Sequence, residues 1–189
     1  MDGAGNCDPL TNPQCGIPDD LNGPQEAPQV TPQQLAQRAL AQLRLPVPAA
    51  KTAPPRGKQG VVFLPHWVWV PASQWRPITK RASQGSVWVE VIATPQKITI
   101  QPGAGQPGVE CAGPGTAYHP GKPASAQRTD CSHTYLQSSA LQPGGTYTMT
   151  VSVEWTATWR GAGGLGGSLP PLSMSTSFGV RVAEGQSLN

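Results

Sequence analysis

The chain has 189 residues, of which 22 are Gly and 22 are Pro, and its net charge is +3. Charged residues make up only 12 %, against about 25 % in an average soluble domain. That composition excludes a coiled coil and a strongly electrostatic nucleic-acid binder, and no apolar run approaches the roughly 20 residues that span a bilayer as a helix. The first sixty residues hold ten Pro, six Gly and no aromatic residue. Such a segment cannot bury enough apolar surface to offset chain entropy of roughly 1–2 kcal/mol per residue, so residues 1–60 are expected to form a largely irregular arm.

One helix is expected inside that arm. Thr31 is an N-cap, Pro32 takes the first helical position, and Gln34 falls three residues after the cap. Leu35, Ala39, Leu40 and Leu43 follow at helical spacing until Pro46, which predicts a helix near 32–44. A helix this short is marginal alone, so Leu35, Leu40 and Leu43 need a partner: the chain's own sheet or a second molecule.

From residue 61 the pattern changes. Val61–Leu64 and His66–Val70 read as short strands broken by Pro65 and Pro71, and residues 61–84 are expected to connect and pack on a sandwich over 85–189. Val87, Val89 and Val91 alternate with Trp88, Glu90 and Ile92; Ile98 and Ile100 precede a turn at Pro102–Gly105. Tyr147–Trp155 is a strict period-two strand, Gly161–Gly167 a flexible loop, and Ser173–Val182 a last strand. Short strands at this spacing predict a mainly β fold, an antiparallel sandwich whose core the six Trp help to fill.

Four cysteines are present. Of the three connectivities, the simplest pairs Cys7 with Cys15 in the arm and Cys111 with Cys131 in the β region, and it implies an oxidising compartment. The rival is a metal site at Cys111, Cys131, His133 and His119, against which Cys-x-His spacing and the Gly/Pro-rich setting of His119 both argue. Met1-Asp-Gly-Ala-Gly has neither a basic nor an apolar leader region, so an export signal is expected to be removed or upstream of this start.

Candidate chemistry is sparse. Gly161-Ala-Gly-Gly-Leu-Gly-Gly-Ser168 lacks the Lys of a phosphate loop and lies between strands. Asp130, Ser132 and His133 are sequence neighbours, and on a strand Ser132 faces away from His133, which is expected to make a structural hydrogen bond. Trp67 and Trp69 share one strand face, as do Trp155 and Trp159; exposed, either pair could stack on sugar rings, and buried, it is core. Lys80, Arg81, Lys97, Lys122 and Arg128 form a basic set without interleaved aromatic platforms, which reads as a solvated face rather than a nucleic-acid groove.

The run Asp130-Cys-Ser-His-Thr-Tyr135, followed by Gly144-Gly-Thr-Tyr147-Thr-Met-Thr-Val151, resembles the closing signature of polycystic-kidney-disease (PKD) domains. Residues 31–189 are similar more broadly to exported actinobacterial proteins carrying such a domain, some labelled "ATP/GTP-binding". The resemblance implies an immunoglobulin-like sandwich. It departs from the PKD pattern at Ile100-Gln-Pro-Gly-Ala-Gly105, where Gln101 and Ala104 replace two Asp, so calcium at that turn is not expected. The combined expectation is a non-catalytic, cofactor-free binding or structural module, secreted or held in the cell envelope, meeting a protein or glycan in a surface or secretion assembly. The alternatives are a carbohydrate-binding module and a nucleotide-binding protein.

Overall fold

The computed structural model describes residues 30–185. Helix α1 spans Pro32–Gln42 and is followed by nine strands: β1 (Lys51–Ala53), β2 (Gln59–Val61), β3 (Pro65–Trp69), β4 (Ile78–Gln84), β5 (Val87–Gln101), β6 (Val109–Ala112), β7 (Ser132–Thr134), β8 (Tyr147–Gly161) and β9 (Gly166–Ala183). The fold is mainly β, with two packed sheets and one helix, as the strand pattern predicts.

The larger sheet runs β2-β9-β8-β5-β4, with β6 also pairing β5; the smaller runs β1-β3-β7. Its spine is the antiparallel trio β5, β8 and β9, longer than the sequence pattern suggests. In β8, Tyr147, Met149, Val151, Val153, Trp155 and Ala157 are buried while Thr, Ser and Glu alternate outward, the period-two division of a half-buried strand. In β5 the inward set is Val89, Val91 and Ala93, then Ile98 and Ile100. The parity changes because the register slips between Pro95 and Lys97, leaving Gln96 as a bulge. A second slip in β8–β9 pairing falls where Pro170 and Pro171 interrupt β9, a position at which Pro costs the ladder no bond. The Gly-rich run expected as a flexible loop is mostly a short 3-10 turn at Ala162–Gly164 and the start of β9.

Two layers cover the inner face of this sheet. Over one end lies α1, whose Leu35, Ala36 and Ala39 are buried and whose neighbours are β5 and β4. The capping box is formed: Thr31 Oγ1 accepts from the Gln34 N–H, and Gln34 Oε1 accepts from the Thr31 N–H. Of the two partners open to the leucine stripe, the chain's own sheet takes Leu35, while Leu40 and Leu43 are half-buried. Over the other end sits the small sheet. His66, Val68 and Val70 point inward, with Val68 and Val70 joining Ile98, Ile100, Tyr135, Tyr147, Met149, Val151 and Val153 in one core.

Residues 43–60, expected to belong to an irregular arm, are built into this compact unit, and β1 and the start of β2 lie within them. They hold place by edge pairing rather than by aromatic burial: β1 pairs β3, and β2 runs parallel to the end of β9. Strand content in such a segment is set by tertiary context, which overrides its weak propensity. The Cys7–Cys15 pairing lies outside the described residues. Cys111 and Cys131 form a disulfide with Cα atoms 5.3 Å apart, which rules them out as thiolate metal ligands. Among the described residues, no cluster of His, Cys, Asp and Glu could hold a metal ion, and no helix is long and apolar enough to cross a membrane.

Candidate functional site

Strand β3 has two working faces. Its inward residues build the core, so the intervening Trp67 and Trp69 stand on the outer face of the small sheet. Antiparallel register sets Lys51 and Ala53 of β1 and Ser132 of β7 beside them on that face. An aromatic pair on the outside of a three-stranded sheet needs cover, and the loop between the two cysteines supplies it.

That loop is fixed at both ends on β3. The Val70 N–H donates to the Pro114 carbonyl at 2.8 Å, and the Val68 N–H donates to the Cys131 carbonyl at 3.0 Å. Gly115 lies directly on the strand with φ +74; a Cβ there would sit 2.6 Å from the Val68 carbonyl oxygen, so only glycine allows this approach. Tyr118 then meets Trp67 edge-on, with ring centroids 5.4 Å apart, a favoured aromatic geometry. Trp67 is thereby buried to 7 % exposure, while Trp69 is half-buried. Gln127 keeps the loop in shape: its Nε2 donates to the His119 and Lys122 carbonyls and its Oε1 accepts from the His119 N–H.

Between loop and sheet lies a groove of about 1130 Å³. Its walls are mainly apolar and include Trp67, Trp69, Tyr118, Pro54, Val61 and Leu64. Lys51, Arg56 and Arg128 also stand in the wall, and no Asp or Glu does. None of these three bases is in an ion pair among the described residues. Several polar side chains in the wall are committed to holding the protein together. Thr52 Oγ1 donates to the Pro54 carbonyl, Arg128 Nη1 to the Ser125 and Gln127 carbonyls, and Gln127 is occupied as described.

Exposed apolar residues continue from the groove. Val61 and Leu64 are wall residues 37 % and 59 % exposed, and Phe63 between them is 67 % exposed. Phe63 has φ 63, a left-handed backbone that is unfavourable for a bulky side chain. The surrounding structure holds it there through a bond from the Phe63 N–H to the Tyr135 carbonyl. Leu136, next along from that carbonyl, is 66 % exposed.

His66 and Tyr135 also line the groove; His66 and His133 are cross-strand partners with Tyr135 edge-on to both. Burial, with the second histidine adding to it, lowers His66 to a pKa of about 4, so its imidazole is neutral at physiological pH. His66 Nε2 is buried without a hydrogen-bond partner. His133, also lowered by burial, pairs its Nε2 with Gln106 Oε1 at 2.8 Å, the structural hydrogen bond expected of it. Burial raises Tyr135, whose hydroxyl donates to the Pro102 carbonyl. Ser132 is on the groove side and His133 on the core side, so the two do not converge.

The four tryptophans singled out for stacking therefore divide. Trp67 and Trp69 are together in the groove. Trp155 is 2 % exposed and is core, because its strand position points inward under the sandwich. Trp159 is half-buried, with its ring in the space left by Gly161 and Gly167. Within the basic set, Lys97 is paired with Glu110 and Glu154, and Arg81 lies over the Trp88 ring; Arg128 alone reaches the groove. Sequence reasoning missed Tyr118, Lys51, Arg56 and Phe63. Tyr118 carried a signal, since it is the sole aromatic residue between Cys111 and Cys131. Comparison with protein-family models, with curated proteins and with solved structures finds no match.

Proposed function

We propose that this chain is a non-catalytic binding module acting outside the cytoplasm, at the cell surface or in its envelope, and that the groove over β3 is its ligand site. The observation that carries the reading is the tethered aromatic wall. Trp67, Trp69 and Tyr118 are brought together by a loop whose two ends are joined through Cys111–Cys131. A mostly apolar, preformed concavity of this volume is the usual form of a small-molecule site. A structural disulfide fits an oxidising compartment. His133 is held by Gln106, and His66, although it lines the groove, is 4 % exposed, which favours binding over turnover.

The immunoglobulin-like, PKD-type assignment belongs to the same proposal. Its support is the sandwich together with Tyr147 at the start of β8, whose hydroxyl donates to the Gln137 and Ser138 carbonyls upstream, as tyrosine corners do in Greek-key sandwiches.

The test is titration with 8-anilinonaphthalene-1-sulfonate, a fluorescent ring system bearing one anionic group. One saturable site per folded chain is expected, weakened about tenfold by Trp69→Ala, the loss of roughly one stacked aromatic contact. Binding unchanged by that substitution, or no saturable binding, overturns the groove as the site.

A further inference from the structure

We propose that the ligand of the groove is an anionic amphiphile, a long-chain carboxylate bound as a monomer; this rests on the reading of the groove as the binding site. Three observations carry the chemistry. The first is what the wall lacks for a sugar. A saccharide is recognised by several convergent hydrogen-bonding side chains, but Thr52, Gln127 and the Arg128 Nη1 already bond the chain's own carbonyls, which leaves the Ser132 and Tyr118 hydroxyls as neutral polar groups outside these bonds. What the wall presents instead is apolar area along Trp67, Trp69, Tyr118, Pro54 and Leu64.

The second is charge. Lys51, Arg56 and Arg128 line the groove without a single acidic residue among the wall positions and in no ion pair among the described residues; Arg56 lies over the Phe178 ring and Arg128 Nη1 bonds two carbonyls, and neither contact neutralises the charge. Cations beside an apolar trough favour a ligand with an anionic head, since charge-assisted bonds to carboxylate are about twice as strong as neutral ones. The third is the approach. Val61, Phe63 and Leu64 form an apolar lip that leads into the wall, with Phe63 held in an unfavourable backbone conformation while its ring faces solvent. Backbone strain of this kind concentrates at functional clamps. An alkyl chain entering over the lip would exchange water for continuous apolar contact, at about 0.8 kcal/mol for each CH₂ buried.

The experiment is tryptophan fluorescence of the full oxidised chain, titrated below the aggregation limit with oleate, 9,10-dibromostearate, oleyl alcohol and a cello-oligosaccharide. Sedimentation with vesicles of anionic phospholipid runs alongside. The expected result is saturation by one oleate per chain and quenching by the brominated chain, which requires contact with a Trp ring. Oleyl alcohol should bind at least about tenfold more weakly, the loss of one charge-assisted bond. Lys51→Gln combined with Arg56→Gln should weaken oleate by a similar factor while leaving the alcohol unaffected.

Equal affinity for oleyl alcohol overturns the anionic head group. That comparison uses the unmodified chain and stands even if the double variant fails to fold. Oligosaccharide binding without an oleate response overturns the amphiphile and leaves the groove as the site. Vesicle binding with no quenching by monomeric dibromostearate also overturns it, in favour of a membrane surface. Silence from every probe, together with no saturable anilinonaphthalene binding, overturns the ligand and the site together.

Discussion

His66 sets the sharpest expectation for a single residue. Its pKa falls from about 6.5 in the unfolded chain to about 4 in the folded one. The folded protein therefore resists a proton that the unfolded chain accepts. Stability from this source is complete above pH 6.5 and is lost as the pH falls through 4, to the extent of roughly 3 kcal/mol. Urea unfolding of wild type and His66→Leu at pH 7.5 and 4.5 should show the variant losing markedly less on acidification. Equal losses would show that carboxylates, not this imidazole, set the slope. Trp155→Ala, at a fully enclosed position, should cost about 3–5 kcal/mol by the same assay. At this scale, Trp67 and Trp69 on one face were legible from spacing alone. The division of Trp155 from Trp159 was not, because alternation gives a side chain's face and says nothing of what covers that face.

The covalently closed loop and the bulge are features of elements. Joining Cys111 to Cys131 across 20 residues contributes about 3 kcal/mol in the chain-entropy model. Its structural effect is local, since it tethers the segment that carries Tyr118. Reduction, or Cys111→Ser with Cys131→Ser, should lower stability by about that amount and shift tryptophan emission to the red as Trp67 meets water. An unshifted spectrum would mean that the loop keeps its place through the Val68 and Val70 bonds alone. Deleting Gln96 is predicted to be milder than most core substitutions. Gln96 has no partner on β8, and without it Ile98 and Ile100 continue the inward alternation of Val89, Val91 and Ala93 in an unbroken register. Retained cooperative unfolding by circular dichroism would bear this out, and its loss would show that the bend at the bulge is itself required. The two parities were visible in the sequence as two separate short runs. What joined them into one 15-residue strand was pairing with β8 along almost its whole length, a non-local fact that no window of sequence contains.

For the whole molecule, β-sandwich character was readable from strand spacing and Gly/Pro punctuation, and the helix from its capping box and leucine stripe. The groove was not. Its components come from β1, the β1–β2 connection, β3 and the loop before β7, segments that topology assembles and that carry no motif individually. Thr31→Ala tests how firmly the helix is tied to the rest. Removing the cap should cost about 1 kcal/mol and loosen amide protection in α1 and in the strand ends beneath it, while leaving anilinonaphthalene binding intact.

The long strands β5 and β8 are shared between two coverings, and that gives the protein two separable interiors on one backbone. Leu35, Ala36, Ala39, Val89, Val91 and Ala157 are buried outside the main core that Ile98, Val151 and their neighbours form. A denaturant or a shear force acting on the helical end could therefore melt that half first, leaving the aromatic trough intact on a shortened but still paired scaffold. Such a molecule can be held by one end while the groove at the other keeps its shape.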